Sequence, residues 1–344
     1  MLVAQITDTH ITSSGKLALR RLPPKGGVVD TASGLERAVA ALVCLRPLPD
    51  ITVVTGDLVD AGEPEEYAYF RGLLAPLRMP VFVIPGNHDA REPMREAFNR
   101  DGYLPGEGFL NYVIDEYQLR IVGLDTLVPG EAGGELCSDR LKWIDHTLAA
   151  APDRPTLVLM HHPPFRTGIA PMDHMGLGGG ADFAEIIRHH PRVERICCDH
   201  VHRAIECRFA GTIAGTAPST AHQVTLDLRP DEPLTFAFEP PGYQLHYWCK
   251  EVGLVTHTAQ IGDWPQLNQV DKGQLPDRLK PTRGHAAPGR RRDGGAAHER
   301  VSALHRSVWS LRPARRQRRS ETSAYRSVPM PLRSAGSCAC APAG

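Results

Sequence analysis

Several features that would assign this chain to a class are missing from its sequence. No apolar run approaches 18 residues, so we expect no membrane span. The first residues show no basic segment followed by a long apolar stretch, so we expect no secretory signal. Aromatic residues are scarce, at 6% of the 344 residues, but the hydrophobic fraction of 42% is enough for a sizeable core.

Cysteine is present without the spacing of a disulfide framework. The eight cysteines are scattered, and the neighbours Cys197 and Cys198 cannot readily pair with each other. Cys338 and Cys340 have the spacing of two metal ligands, but no further ligands lie at a useful distance in the sequence. Reduced cysteines in a cytoplasmic protein are therefore the simplest interpretation.

The net charge is zero because two parts of opposite charge cancel. Residues 266–344 hold 16 of the 39 basic and 5 of the 39 acidic residues, so they carry +11 and the residues before them −11. An acidic body is a poor match for a nucleic-acid binder, whose affinity depends on neutralising phosphates. Nucleic acid is therefore disfavoured as a partner.

Strand and helix patterns alternate over the first 200 residues. Helices are predicted over 30–46, 63–77 and 139–149, and strands over 2–7, 50–55, 81–84, 119–124, 156–160 and 193–198. This alternation predicts an α/β core with helices on the outer faces of its sheets. From about residue 204 tighter spacing predicts antiparallel strands that complete a second sheet.

Both periodicities fade after Trp264 and Pro265, where Arg, Gly, Ala and Pro dominate. We therefore predict a folded domain over residues 1–265 and a disordered tail over 266–344. Three interpretations of the tail stay open: a segment that binds anionic surfaces, an inert extension, or sequence translated out of frame. The last two are favoured, so deletion of residues 270–344 should leave the activity of the folded domain intact.

Polar residues with metal-binding donors directly follow the predicted strands. Seven of them stand out: Asp8, His10, Asp57, Asn87, His161, His200 and His202. Strand-end loops are where α/β sheets gather ligands, and side chains two apart in an extended segment point the same way. Carboxylate, amide and imidazole donors together are the ligand set of two divalent cations held side by side.

The charge of such a centre limits its substrate. Two divalent cations bring +4, and Asp8 with Asp57 remove two charges, which leaves about +2 to attract a phosphate ester. Two cations roughly 3.5–4 Å apart can deprotonate a bridging water and stabilise both the attacking and the leaving oxygen. Hydrolysis by in-line attack on phosphorus is the reaction that fits, and charge alone leaves diesters and monoesters open.

Five motifs, in family order over residues 1–265, resemble those of the calcineurin-like metallophosphoesterases: Asp8-x-His10, Gly56-Asp57, Gly86-Asn87-His88-Asp89, His161-x-Pro163 and His200-x-His202. The segments 215–220 and 242–245 are similar to those of bacterial class III cyclic-nucleotide and glycerophosphodiester phosphodiesterases. The resemblance implies a two-sheet sandwich with α-β-β-α layers, two divalent metals (Mn, Fe or Zn), and a small phosphodiester substrate. That substrate would be a cyclic nucleotide of the 3',5'-cyclic AMP type or a small glycerophosphodiester. The resemblance also leaves assembly into a homo-oligomer open.

The resemblance further implies a role for each motif residue. One metal would be bound by Asp8, His10 and His202, and the other by Asn87, His161 and His200. Asp57 would bridge the two metals. His88 would protonate or stabilise the leaving oxygen, and Asp89 would orient His88 through a hydrogen bond.

Asp199 departs from the family pattern, which normally has glycine before the last His-x-His pair. Aspartate tolerates left-handed backbone angles better than most residues, though at more cost than glycine. We therefore expect an active enzyme, with weakened site geometry at this position as the alternative outcome. A phosphomonoesterase or nuclease on the same scaffold, or a catalytically impaired regulatory module, stays an alternative.

The remaining histidines have no motif support as ligands. His162 is interpreted as a packing neighbour of the site, and the others are His174, His189, His190 and His222. His174 and the glycine run 178–180 lie between two ligand segments, which suggests a mobile substrate loop. A surface loop without a role is an equal alternative.

Overall fold

The computed structural model describes residues 1–13 and 29–264. The predicted boundary at residue 265 and the tail over 266–344 lie outside the described residues. Over the described part the chain forms these elements: β1 (Leu2–Ile6), α1 (Thr31–Cys44), β2 (Ile51–Thr55), α2 (Pro64–Leu74), β3 (Val81–Ile84), α3 (Arg91–Phe98), a 3₁₀ turn (Asn99–Asp101), β4 (Tyr112–Ile114), β5 (Arg120–Gly123), β6 (Gly134–Glu135), α4 (Ser138–Ala149), β7 (Thr156–Leu159), α5 (Ala170–His174), β8 (Leu177–Gly178), α6 (Gly180–His189), β9 (Val193–Cys198), β10 (Ile205–Phe209), β11 (Thr212–Thr216), β12 (Gln223–Val224), β13 (Phe236–Ala237), β14 (Gly242–Cys249) and β15 (Gly253–Gln260).

Local signals fix the ends of the helices that the sequence predicts. The Asp30 side chain accepts the Ser33 amide at 3.0 Å and caps α1, whose apolar stripe is buried. Pro64 begins α2, where its missing N–H costs nothing, and Glu63 with Glu66 forms a capping box. The third predicted helix is α4, whereas α3, α5 and α6 lie outside the predicted ranges.

Two sheets form the centre of the domain. One has the strand order β15-β14-β1-β2-β3, and the other β10-β11-β9-β7-β5-β4. The segments β1, β2 and β3 are parallel to one another, as are β5, β7, β9 and β11. Short pairs, β6 with β8 and β12 with β13, lie outside both sheets.

The layers follow from three apolar clusters. Side chains from both sheets, such as Val53 and Leu157, pack together in a core between the sheets. A second cluster joins α1, α2 and α3 to the other face of the first sheet, and a third joins α4 and α6 to the second sheet. The predicted α-β-β-α sandwich is therefore confirmed for the described residues.

The strands after residue 204 are divided among the two large sheets and the separate pair of β12 with β13. Only β10 and β11 join the second sheet, whereas β14 pairs antiparallel with β1 and β15 pairs with β14. The prediction that all of them complete the second sheet is wrong. The open edge of β1 has unpaired backbone groups, and β14 satisfies them with the register Leu2↔Tyr247.

Two further features agree with the sequence. Among the described residues, no helix is long and apolar enough to cross a bilayer. The six cysteines in the described part are free, and Cys197 and Cys198 are buried.

Candidate metal centre

Left-handed backbone angles mark the loops that follow the parallel strands. In the described residues six non-glycine residues have positive φ, and five of them are predicted ligands: Asp8 (46°), His10 (42°), Asp57 (47°), His200 (71°) and His202 (54°). Such angles are unfavourable for side-chain-bearing residues and persist where the surroundings hold them, typically at functional sites. The loops are therefore shaped to aim these five side chains at one place.

Asp8, His10 and His202 form one group of donors. Their ligand atoms all lie within 4.8 Å of one another, with His202 Nε2 3.2 Å from His10 Nε2 and 3.6 Å from Asp8 Oδ1. Asp8 Oδ2 accepts the Thr7 hydroxyl, but buried Asp8 Oδ1 has no hydrogen-bond partner. A buried oxygen without a partner is costly, and a cation at this point would satisfy it.

Asn87, His161 and His200 provide a second group. Asn87 Oδ1, His161 Nε2 and His200 Nε2 are all buried without a hydrogen-bond partner. Asp57 stands between the two groups, since its Oδ2 lies 3.5 Å from His10 Nε2 and 3.4 Å from His161 Nε2. The structure therefore brings all seven predicted donors to one site.

The imidazoles are oriented by the nitrogen that faces away from the centre. His161 Nδ1 donates to the Thr55 carbonyl at 3.0 Å, and His202 Nδ1 to the His222 carbonyl at 3.0 Å. A ring that donates from Nδ1 presents a lone pair at Nε2, which is how metal-binding histidines are held. The hydrogen bonds made by Nδ1 of these two histidines therefore fit their interpretation as metal ligands.

His162 lies beside the centre with both ring nitrogens already used. Its Nε2 donates to the Ala132 carbonyl at 3.2 Å, and its Nδ1 accepts the Thr126 hydroxyl at 2.8 Å. Burial, followed by repulsion from His200 and His161, holds the pKa of His162 well below its usual value. Its ring is 4.7 Å from that of His200, and the two histidines form a group of possible ligands with His161, so a packing role for His162 stays a prediction.

Burial shifts the pKa values of several residues of the centre away from their usual values. It raises the pKa of Asp8 to about 8 and lowers that of His200 to about 3. Burial also lowers the pKa of His161, but attraction to Asp57 outweighs this and raises it to about 10. Asp8 and His161 therefore hold protons that the binding of a metal ion would displace.

The predicted hydrogen bond between Asp89 and His88 is wrong. The His88 Nδ1 donates to the Asp60 carbonyl at 2.8 Å instead. The Asp89 carboxylate accepts the Gly86 amide at 2.8 Å, the Leu58 amide at 3.2 Å and the Tyr67 hydroxyl at 3.0 Å. Asp89 therefore fixes the Asp57 and Asn87 loops relative to each other.

Asp60 and His222 belong to the site but carried no usable sequence signal. Asp60 Oδ1 lies 3.7 Å from His10 Nδ1, and the Asp60 carbonyl orients His88. His222 is 1% exposed, neither ring nitrogen has a partner, and its ring centroid is 4.6 Å from that of His202. Its only hint is its place directly after the segment 215–220, which alone does not predict a role.

The predicted left-handed geometry at Asp199 is also wrong. Asp199 is not among the positive-φ residues of the described chain, and the left-handed angle falls on His200. The Asp199 carboxylate accepts the Ala217 amide at 3.1 Å and is not among the residues that line the cavity at the centre. The alternative outcome, a weakened site geometry, therefore lacks its physical cause.

A cavity of about 140 Å³ opens on the centre. Its polar wall includes members of both donor groups together with His88 and His222, and its apolar wall includes Met172, Met175, Leu234 and Phe236. A neighbouring cavity of about 390 Å³ shares Met172 and runs along the segment that contains His174 and Gly178. The segment between β7 and α6 thus lies next to the site, whereas its mobility stays a prediction.

Comparison with known proteins gives the chain its relatives. The family model of calcineurin-like phosphoesterases matches residues 1–204. A probable glycerophosphodiester phosphodiesterase GpdQ of Arcobacter nitrofigilis is 39% identical over 280 residues, which cover 80% of this chain and all of that protein. The 3',5'-cyclic adenosine monophosphate phosphodiesterase CpdA of Escherichia coli K12 is 31% identical over 224 residues, 64% of this chain and 76% of that one. A dimetal phosphatase of Danio rerio has the same fold, with a TM-score of 0.52 at 14% identity over 76% of this chain and 99% of that chain.

Proposed function

Because the chain belongs to the calcineurin-like phosphoesterase family, we propose that it is a dinuclear metal-dependent phosphodiesterase acting on small phosphodiesters. One observation carries the proposal. Buried donor atoms without partners converge from two sides on the Asp57 carboxylate, which lies about equally far from a histidine of each group. Two metal ions that share Asp57 satisfy all of these atoms.

Each metal has a ligand set on this proposal. One would be bound by Asp8, His10 and His202 together with Asp57. The other would be bound by Asp57, Asn87, His161 and His200. Oxygen and imidazole ligands suit Mn, Fe and Zn, and such a pair supplies Lewis acidity and an activated water for attack on phosphorus.

His88 is the proposed proton donor to the leaving oxygen. Its Nδ1 is held by the Asp60 carbonyl, so Nε2 is free, and the ring lines the cavity. Burial lowers its pKa, but attraction to Asp57 and the bond to Asp60 outweigh this and place the pKa above its usual value. In its protonated form, a histidine at this place can donate a proton to the departing oxygen.

His222 is the proposed contact for a phosphate oxygen. Both of its ring nitrogens lack partners, and it lines the cavity between His10 and Phe236. Asp89 acts indirectly, because it ties the Leu58 and Gly86 amides together and so fixes the loops that carry Asp57 and Asn87.

The substrate class rests on the relatives and on charge. Relatives at 39% and 31% identity are named as phosphodiesterases of a glycerophosphodiester and of cyclic AMP. We propose the same chemical range here, cyclic nucleotides of that type or small glycerophosphodiesters. A cytoplasmic location and a homo-oligomeric state stay predictions.

A substrate panel with metal analysis tests the proposal. Purified protein reloaded with Mn is compared on cyclic AMP, a glycerophosphodiester, p-nitrophenyl phosphate and single-stranded DNA, with the His10→Ala/Asn87→Ala double variant as control. We expect the diesters to be hydrolysed faster than the monoester or the DNA. A faster reaction with the monoester or with DNA would favour a phosphomonoesterase or a nuclease. Fewer than two metal ions per chain, with no hydrolysis of any substrate, would favour a catalytically impaired regulatory module.

A further inference from the structure

Asp199 is a buried carboxylate that the proposed reaction does not use. Its side chain is fully buried and does not line the cavity at the centre. It directly precedes the ligand His200, at the position where the family pattern has glycine. A buried carboxyl group is costly unless hydrogen bonds satisfy it, so its partners indicate what it does.

The Asp199 carboxylate joins three separate segments of the chain. It accepts the Ala217 amide at 3.1 Å and the Gln5 Nε2 at 3.1 and 3.3 Å, and the same Gln5 Nε2 also donates to the Thr55 hydroxyl at 2.9 Å. Gln5 and Thr55 lie on β1 and β2 of the first sheet, whereas Asp199 and Ala217 follow β9 and β11 of the second. The carboxylate therefore bridges the two sheets directly below the centre.

Two of these segments also hold metal donors by their backbone. The Thr55 carbonyl accepts the His161 Nδ1 at 3.0 Å and so sets the orientation of that ring. Just after Ala217, the Ser219 hydroxyl donates to the Asp8 carbonyl at 2.9 Å and the Ser219 amide to the His202 carbonyl at 3.2 Å. A shift of either segment would move ligands from both donor groups.

The backbone of Asp199 holds a strained turn at His200. The Val201 amide donates to the Asp199 carbonyl at 2.8 Å across His200, whose φ is 71°. This is the γ-turn of the positive-φ kind, which is rare and strained. The Asp199 amide donates to the His161 carbonyl at 2.8 Å, so the residue before the turn is anchored through both backbone and side chain.

Gln5 is itself fixed, which makes the bridge rigid. Its Oε1 accepts the His246 Nε2 at 2.9 Å, and the His246 Nδ1 contacts the Thr256 hydroxyl at 2.9 Å. The amide nitrogen of Gln5 must therefore face Thr55 and Asp199, where it donates to both. A glycine at position 199 would leave the Gln5 amide and the Ala217 amide without this acceptor.

We propose that Asp199 is a positioning residue that locks the His161, His200 and Ser219 segments together from below the metal centre. The inference rests on the proposed function, because it concerns the affinity of that centre for metal. On this proposal, the aspartate that stands where the family pattern has glycine makes the metal centre of this chain more rigid.

The test compares four variants of the full chain: Asp199→Ala, Asp199→Gly, Asp199→Asn and the control Asp50→Ala. Asp50 is the control because its carboxylate contacts the same strand at the opposite end. It accepts the backbone amide of Leu2, whereas Asp199 accepts the side-chain amide of Gln5. Mn²⁺ binding is measured by calorimetry on metal-free protein, and kcat and KM are measured with bis(p-nitrophenyl) phosphate.

We expect Asp199→Ala and Asp199→Gly to weaken binding of one or both Mn²⁺ ions by about 10- to 100-fold, the range typical of residues that orient ligands. The kcat should fall by a similar factor with KM little changed, because Asp199 does not touch the substrate cavity. Asp199→Asn keeps an oxygen for the Ala217 and Gln5 amides and should recover most of the affinity. Asp50→Ala should bind Mn²⁺ like the wild type.

Wild-type affinity in Asp199→Ala and Asp199→Gly would overturn the inference. So would an Asp199→Asn variant as weak as Asp199→Ala, since charge rather than hydrogen bonding would then be responsible. Should Asp199→Ala not fold, Gln5→Leu removes the Nε2 donor to Asp199 at similar volume, and unchanged Mn²⁺ affinity there would equally overturn it. A wild-type protein that binds fewer than two Mn²⁺ ions, or hydrolyses no diester, would instead contradict the proposed function.

Discussion

Residues at the centre combine unfavourable backbone angles with side-chain atoms that have no partner in the protein. Asp8 shows both, with a φ of 46° and a buried, unpartnered Oδ1. His200 shows both as well, through its strained turn and its free Nε2. Each feature costs free energy by itself. A cation bound by these atoms would explain why the protein has both.

Replacement of His88 by alanine should distinguish leaving groups. A general acid matters most when the departing oxygen is strongly basic, so we expect a loss of about 10²- to 10⁴-fold in kcat on a glycerophosphodiester. The loss on bis(p-nitrophenyl) phosphate should be much smaller, because nitrophenolate leaves without a proton. Steady-state kinetics on both substrates check this, and His189→Ala, on the exposed side of α6, is the control.

An equal loss of activity on both substrates would contradict the role of His88 as proton donor. It would indicate instead that the His88 ring acts on the centre itself, because the backbone amide that donates to Asp57 Oδ1 at 2.9 Å is retained in the alanine variant.

The seven donors could be predicted at the residue level because each follows a strand in a recognisable motif. The side chains that orient or supplement them could not. Asp60 and His222 stand in loops where no spacing rule applies, and the partners of Asp89 depend on how two distant loops meet. Asp199 was expected to distort a turn, but its role depends on Gln5, which lies 194 residues away.

At the level of elements, the centre depends on loops that approach each other very closely. Gly86 follows β3 and packs its backbone against Asp57, which follows β2. A Cβ at this position would overlap the Asp57 carboxylate and its amide. The lack of a side chain at Gly86 therefore allows the loop that carries Asp57 to approach the loop that carries Asn87.

Gly86→Ala should therefore displace Asp57 and weaken metal binding, with kcat reduced by about 10²-fold or more, since misplacement by an ångström has such effects. The matched control is Gly72→Ala in α2, where a Cβ meets no atom within 4 Å. That change should stabilise the protein by about 0.4–1 kcal/mol without loss of activity. Activity and thermal unfolding of both variants check the prediction, and a fully active Gly86→Ala would refute it.

The alternation of strands and helices could be predicted because each element carries its own period. The assignment of β14 and β15 to the first sheet could not. Their sequence shows only that they are strands, whereas the pairing of Leu2 with Tyr247 joins the two ends of the described chain. Long-range pairing of this kind leaves no local pattern.

At the level of the whole molecule, the metal-free protein should lose stability as pH rises from 6.5 to 8. The folded state holds a proton on Asp8 up to about pH 8 and on His161 up to about pH 10, whereas the unfolded chain releases them near 3.8 and 6.5. A folded state with more bound protons becomes less stable as pH rises, by about 1.4 kcal/mol per proton and pH unit. The histidines with lowered pKa, such as His200 at about 3, act in the opposite direction only below pH 6.5.

Metal binding needs the carboxylate and imidazole without their protons, so the stability gained from Mn²⁺ should grow over the same interval. Unfolding temperatures with Mn²⁺ and with EDTA, measured at pH 6.5 and pH 8, check this. A gain that shrinks with rising pH would contradict the account.

The central claim is that two metal ions share Asp57, and a metal titration of the activity tests it most directly. Metal-free protein is titrated with Mn²⁺ while metal content and hydrolysis of bis(p-nitrophenyl) phosphate are followed in the same samples. We predict that activity saturates at two ions per chain, and that Asn87→Ala binds one ion and loses most of the activity. Full activity at one ion per chain, or an Asn87→Ala variant with two tightly bound ions and wild-type activity, would contradict it.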